Sequence, residues 1–201
     1  MHLAFYIFQG IGIACAIGIR PGLPGLAVGL LAIGDVEIHF HHSNYAFLQQ
    51  GPFLAVLGVL TVLLVVGELF DKSGKQLTAA KLGPGGAFSG LASLGLGAVF
   101  FAGALCGRGY AAWPGLIAGV ICAAVGFVAA RSFLTRLRAR LDDDAAAVGV
   151  PVVAHGSALL IAVLSVVAPP LGVVALLGLL FLIYRDRGRD EQKYAGLRIL
   201  R

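Results

Sequence analysis

Charge is what this chain has least of. Only 12% of its 201 residues are Asp, Glu, Lys or Arg, about half of the ~25% usual in a soluble domain. So little polar surface excludes an ordinary soluble globule. Cysteine is also scarce: Cys15, Cys106 and Cys122 are the only three. They form no C-x-x-C pair, which argues against a zinc site, and each is read as a small apolar packing residue. There is no nucleophile elbow, HExxH, P-loop or pair of catalytic carboxylates, so no enzyme activity, cofactor or metal is expected. No basic patch is interleaved with aromatics, so nucleic acid is not an expected partner. The first apolar run has no basic n-region and ends in Arg-Pro, not at an A-x-A cleavage site. It reads as a retained helix.

What the chain has in plenty is apolar residues (59%, mean hydropathy +0.92) and glycine, 29 in all. A membrane helix takes about 20 residues, with a range of roughly 17 to 25. Seven runs qualify or nearly so: Leu3 to Ile19, Leu23 to Val36, Pro52 to Phe70, Gly85 to Cys106, Trp113 to Phe133, Val150 to Ala168, and Pro170 to Tyr184. The second and seventh are short and fit half-helices or a re-entrant pair. The expectation is all-α: a polytopic membrane helix bundle of about seven spans over residues 1–184, with broken or short helices, followed by a charged tail over 185–201. The lipid bilayer is its first partner.

Basic residues sit at the joints. Lys72, Lys75 and Lys81 follow run three, and Arg131, Arg136, Arg138 and Arg140 follow run five. Arg185, Arg187, Arg189, Lys193, Arg198 and Arg201 form the tail. Arg20 falls on the same side. The opposite joints hold Arg108 alone. The positive-inside rule then puts the C-terminus in the cytoplasm and the N-terminus outside, as expected in a prokaryotic cytoplasmic membrane. The segment Thr135 to Ala147, basic and then acidic through Asp142, Asp143 and Asp144, reads as an interfacial helix or a solvated loop.

Small residues four apart mark close helix contacts: Gly10, Ala14 and Gly18, then Gly25 and Gly29, Gly86 and Gly90, Gly115 and Gly119. Such faces are compatible with a homo-oligomer. The hexamer Pro24-Gly25-Leu26-Ala27-Val28-Gly29 recurs as Pro114-Gly115-Leu116-Ile117-Ala118-Gly119, with Arg20 and Arg108 ahead of each. Three runs per copy would make a three-plus-three inverted repeat, an arrangement used by transporters. Pro21, Pro24 and Pro114 are the expected helix breaks, because proline removes a backbone donor.

Four charged residues form the expected ion or solute path. Glu68 ends run three, and an intramembrane carboxylate is costly unless paired or wetted. Lys72 lies four residues on, able to pair with it, and Asp71 repeats the pattern with Lys75. Arg20, beside Pro21, offers a fork of donors to an anion or to those carboxylates. His39, His41 and His42 lie in a polar joint with Asp35 and Glu37. Imidazole and carboxylate suit Zn, Ni or Cu, but the spacing matches no known ligand set, and an exposed joint is the simpler reading. His155, beside Ser157, reads as a buried polar contact between helices or part of a proton path.

The residues Gly10-Ile11-Gly12, Cys15, Gly18-Ile19-Arg20-Pro21, Leu23-Pro24, Pro52-Phe53-Leu54 and Glu68-Leu69-Phe70-Asp71-Lys72 resemble a family of small prokaryotic membrane proteins grouped under a domain of unknown function. The likeness covers mainly the first 75 residues, through G-I-R-P-x-L-P and E-x-x-D-K. It implies a membrane fold and no particular activity. In size, span count and orientation the chain is also similar to trimeric intracellular cation channels, without their lysine-bearing pore motif. The expected function is a small integral membrane transporter or channel for an ion or small solute. The alternative is a non-transporting scaffold or lipid-interacting protein, including a lipid-phosphate flippase.

Overall fold

The computed structural model describes residues 3–34, 44–70 and 84–197. They form seven α-helices: α1 (Leu3–Ile19), α2 (Gly22–Ile33), α3 (Gly51–Phe70), α4 (Pro84–Cys106), α5 (Ala112–Arg138), α6 (Asp143–Val167) and α7 (Pro170–Leu197). A 3-10 turn, Ala46–Gln49, precedes α3. No strand occurs among the described residues. Three helices are long and apolar enough to cross a membrane, over Ser89–Cys106, Ala112–Arg138 and Val148–Val167. That is the architecture of a helical, membrane-compatible bundle.

The first apolar run is not a lipid-facing helix. α1 packs against α2, α4, α5, α6 and α7, and ten of its 17 residues are buried. At 1.5 Å per residue it is roughly 25 Å long, shorter than a hydrocarbon core of about 30 Å. Enclosed by protein, it need not match the lipid thickness. Its core partners are Val28, Leu48, Leu57, Phe100, Ala162 and Val166 on one side, gathered around Ile13, Ala16 and Ile17. On another side Phe101, Leu105, Cys122, Ala129 and Leu179 surround Ala14 and Cys15.

Large apolar side chains instead cover the outside. Val56, Val59, Val62 and Leu63 on α3, Leu160 on α6, and Val174, Leu177 and Phe181 on α7 are exposed. A water-soluble monomer rarely shows so wide an apolar belt.

Small residues set the helix spacing. A Cβ added at Gly119 would lie 2.6 Å from the Cα of Ala98, and one at Gly115 would lie 2.8 Å from that of Ala102. With Gly90 against Phe127, these contacts run α4 and α5 antiparallel in close register. Gly25 packs on Leu57 and Gly29 on Leu54, so α2 and α3 are antiparallel too.

The joint after run five is a plain helix-to-helix turn. α5 runs on to Arg138 and α6 begins at Asp143. Basic residues in the last turn of one helix and acidic ones in the first turn of the next each oppose the local dipole charge. That explains the basic-then-acidic order of Thr135 to Ala147. Likewise α7 does not stop at Tyr184 but continues as helix to Leu197.

Candidate functional site

Arg20 stands at the break between α1 and α2. Its amide still donates to the Ala16 carbonyl at 3.2 Å, closing the last turn of α1. Pro21 cannot extend that ladder and becomes the N-cap of α2, with φ −72° and ψ −29°. Pro24 is the third residue of α2, and Pro114 the third of α5. At that position a helix amide has no intrahelical acceptor, so proline costs nothing. Of these three prolines, Pro21 sits at the break, whereas Pro24 and Pro114 stand inside the first turn of helices they begin. In α2 the two prolines leave only Gly22 and Leu23 as first-turn donors. The N-terminal dipole of α2 and the guanidinium of Arg20 therefore add to one positive field.

This break is set back inside the bundle. Ile19 packs on a cluster of Ala130, Leu134, Ala146, Val150 and Ala154, in the paired ends of α5 and α6. Beyond it α5 and α6 extend by one to two turns, and α3 continues nine residues past Thr61, roughly 13 Å of helix. Arg20 is half-buried, its Nε and Nη2 are closed off from solvent, and it is engaged by its surroundings.

Hydroxyls line the same level. A Cβ on Gly22 would strike the Thr61 side chain. Thr61 is buried, and its Oγ1 donates to the Leu57 carbonyl at 2.7 Å. On α4, Gly97 lies 3.6 Å from the Ala14 carbonyl, measured from an added Cβ, and Gly10 packs on Phe101. One turn further in that register, buried Ser93 is level with Gly18. Its Oγ donates to the Ser89 carbonyl at 2.9 Å. Both hydroxyls keep acceptor lone pairs after donating.

Leu54, Leu57 and Thr61 form the stripe of α3 that faces α2. Glu68 falls on that stripe two turns beyond Thr61, since residues seven apart share a helix face. Its backbone is in α3, while its side chain lies outside the described residues, as do Asp71, Lys72, His39, His41 and His42 altogether. Among the described residues no three His, Cys, Asp or Glu converge. His155 is half-buried on α6, where its Nδ1 donates to the Pro151 carbonyl of its own helix at 2.8 Å.

A second polar point was not singled out by sequence. Gln9, on α1, is buried and donates from Nε2 to the Val166 carbonyl of α6 at 3.3 Å. That carbonyl would normally accept from residue 170, but Pro170 has no N–H. Gly12 and Gly172 let the α6–α7 joint come this close. A Cβ on Gly12 would lie 2.7 Å from the Gly172 Cα. The Pro169-Pro170 pair was the available signal, since two missing donors in an apolar setting call for a polar partner.

Three cations mark the two ends of the bundle. Arg108 stacks on Tyr6, 5.0 Å from the ring centre, at the start of α1. Arg131 stacks on Phe127 at 5.0 Å, and Arg136 pairs with Asp186 of α7 at 2.5 Å, near the Arg20 end.

The fold and site therefore define a compact helical bundle with a recessed arginine at a helix break. No protein-family model matches this chain, and comparison with curated proteins and with solved structures gave no match.

Proposed function

We propose that the protein is a small integral membrane transporter or channel for an ion or small solute, with Arg20 at its charged centre. The observation that carries this reading is the setting of Arg20. A guanidinium kept only for orientation belongs in the head-group layer, whereas this one is drawn inside the bundle with two nitrogens closed off from solvent. A charge at such depth in a membrane protein is a mark of function. A broken helix whose N-terminal dipole reinforces that charge favours an anionic partner. Glu68, which lies two helical turns beyond Thr61 along α3, is the carboxylate this reading assigns to that role, and a permeating or bound anion would compete with it. Asp71 and Lys72, which follow Glu68 in the chain, complete the proposed set of charged residues. With the positive-inside rule, the Arg20 end faces the cytoplasm and the N-terminus lies outside.

The test is flux in reconstituted vesicles, screening sodium, potassium, proton and chloride. Wild type is expected to conduct at least one of them, and Arg20→Gln or Glu68→Gln to abolish that flux while leaving the chain inserted and monodisperse. Full flux in both variants would refute the reading. The scaffold or lipid-binding alternative draws on the basic residues near Asp186, and it predicts vesicle binding that tracks anionic lipid content, with no flux in any variant.

A further inference from the structure

α1 and α6 lie side by side and antiparallel along most of the length of α1. Toward one end Gln9 donates to the Val166 carbonyl at 3.3 Å, and an added Cβ on Gly12 would strike the Ser165 side chain. Toward the other end Ile19 packs on the cluster that holds Val150 and Ala154. Eleven residues lead from Gln9 to Arg20, and eleven lead back from Val166 to His155. Each step covers about 16 Å of helix axis, so His155 stands at the level of Arg20. α2 gives the same register independently. Its Val28 and Ala32 share a core cluster with Ala162 and Val166, and six residues back along each helix Gly22 reaches the level of Gly156. His155 shares a helix face with Ala162, seven residues on and fully buried in that cluster, so its face is turned toward α1 and α2.

The imidazole has one nitrogen committed and one open. Nδ1 lies 2.8 Å from the Pro151 carbonyl. A carbonyl only accepts, so Nδ1 carries the hydrogen and Nε2 keeps its lone pair. Nε2 takes no hydrogen bond among the described residues. The side chain is half-buried, so a proton can still reach it from outside the bundle. Few charged groups surround it. α2 carries none. α1 offers Arg20, while its Cys15 lies at the crossing with α5. On α5, Arg131 stacks on Phe127, which packs on Gly90 of α4. Arg136 pairs with Asp186 of α7, and Arg138 ends α5. Arg185 of α7 is exposed. The acids of α6 itself, Asp142, Asp143 and Asp144, stand at its start, roughly 16 Å or more along the axis. Arg20 is the charge at the level of His155.

Imidazole is the side chain that ordinarily gains and loses a proton between about pH 5 and 8. A proton on Nε2 turns an acceptor into a donor and adds a unit positive charge at the level of Arg20. Two like charges in one low-dielectric recess repel, and an anion held with them offsets that repulsion. Proton and anion then raise each other's affinity by the same factor. Resting on the transport reading of Arg20, we propose that His155 is a proton-binding site linked to anion occupancy at Arg20, so that the protein carries a small anion together with a proton. The proton adds from water to the Nε2 lone pair and returns to water from the same atom. The Nδ1–H bond to Pro151 is kept throughout.

The experiment titrates the His155 imidazole by NMR in the full chain, ring-labelled on histidine and held in lipid nanodiscs. Substituting His2, His39, His41 and His42 with Gln leaves His155 as the single signal. If those changes disturb insertion, the difference between wild type and His155→Gln isolates the same signal. The titration is run in gluconate and, at equal ionic strength, in chloride, nitrate, formate or phosphate. At least one of the four is expected to raise the proton affinity of His155 roughly fivefold or more, and Arg20→Gln to abolish that rise while the imidazole still titrates. In vesicles loaded with a pH-sensitive dye, the same anion should bring protons in with it, and His155→Gln should end both the proton uptake and the stimulation of anion flux by acid. An imidazole indifferent to all four anions would overturn the coupling, whatever the flux. A rise that persists in Arg20→Gln would overturn the pairing with Arg20. A coupled imidazole in vesicles that pass no anion would overturn the transport reading and leave the linked proton–anion site.

Discussion

Replacing Gln9 with methionine should destabilise the bundle by about 1 kcal/mol. The change keeps the length of the side chain and removes its donor. In the wild type, Pro170 withholds the N–H that would close the last turn of α6, and the Gln9 amide serves the Val166 carbonyl in its place, at 3.3 Å. A buried carbonyl stripped of its donor costs roughly 1–3 kcal/mol. Hydrogen bonds between membrane helices measure lower, averaging about 0.6 and reaching about 1.7 kcal/mol. The long distance here and the apolar gain of methionine both favour the lower part of that span. For a chain of this length 1 kcal/mol corresponds to roughly 2–4 °C in melting temperature. The assay is thermal melting in detergent by circular dichroism, with size-exclusion recovery as a second readout. Gln9→Asn, too short to reach α6, should fall at least as far. A Gln9→Met variant as stable as wild type would refute the assignment of the Val166 carbonyl to Gln9.

Gly119→Leu should cost more than 2 kcal/mol, because even a Cβ there meets the Ala98 backbone at 2.6 Å and overpacking a rigid contact typically costs about 1–3 kcal/mol before the rest of the side chain is added. Gly178→Ala, with nothing within 4 Å of the added carbon, should be neutral or slightly stabilising in the same melt. The Arg136–Asp186 pair is about a quarter to a third exposed (34% and 23%), so a double-mutant cycle should give under about 1 kcal/mol, shrinking further in high salt. Once a permeant species is known, Glu68→Gln should suppress its flux far more than joint substitution of His39, His41 and His42. Loss in the histidine variant with full activity in Glu68→Gln would move the site to the opposite end of the bundle.

Helix existence was legible because apolar run length is a strong signal. The first run, Leu3 to Ile19, is the helix as observed, and the break after Arg20 follows from a proline that cannot donate. Boundaries next to charged residues were harder to read. α5, α6 and α7 each run past the end of their apolar stretch, since a helix in contact with water keeps its backbone bonds whether its side chains are apolar or charged. The small-residue pairs were legible as contact faces, and Gly115 and Gly119 do carry the α4–α5 contact. The two copies of the Pro-Gly hexamer start their helices at the same position, yet their packing differs. α5 lies against α1, α4, α6 and α7, whereas α2 lies against α1, α3 and α6.

Sequence alone determined that the chain is helical and rich in membrane-compatible apolar runs, the number of helices among the described residues and the place where α1 must stop, because charge scarcity, run length and proline act locally. Tertiary structure decided which helix is central. Composition cannot distinguish an apolar helix wrapped in protein from one wrapped in lipid, and α1 was read as one span among seven. It also decided the pairings. Gln9 with Val166, and Gly18 with Ala123, join residues whose separation along the chain carries no periodic signal. Only the crossing of close-packed helices brings those groups within reach of one another.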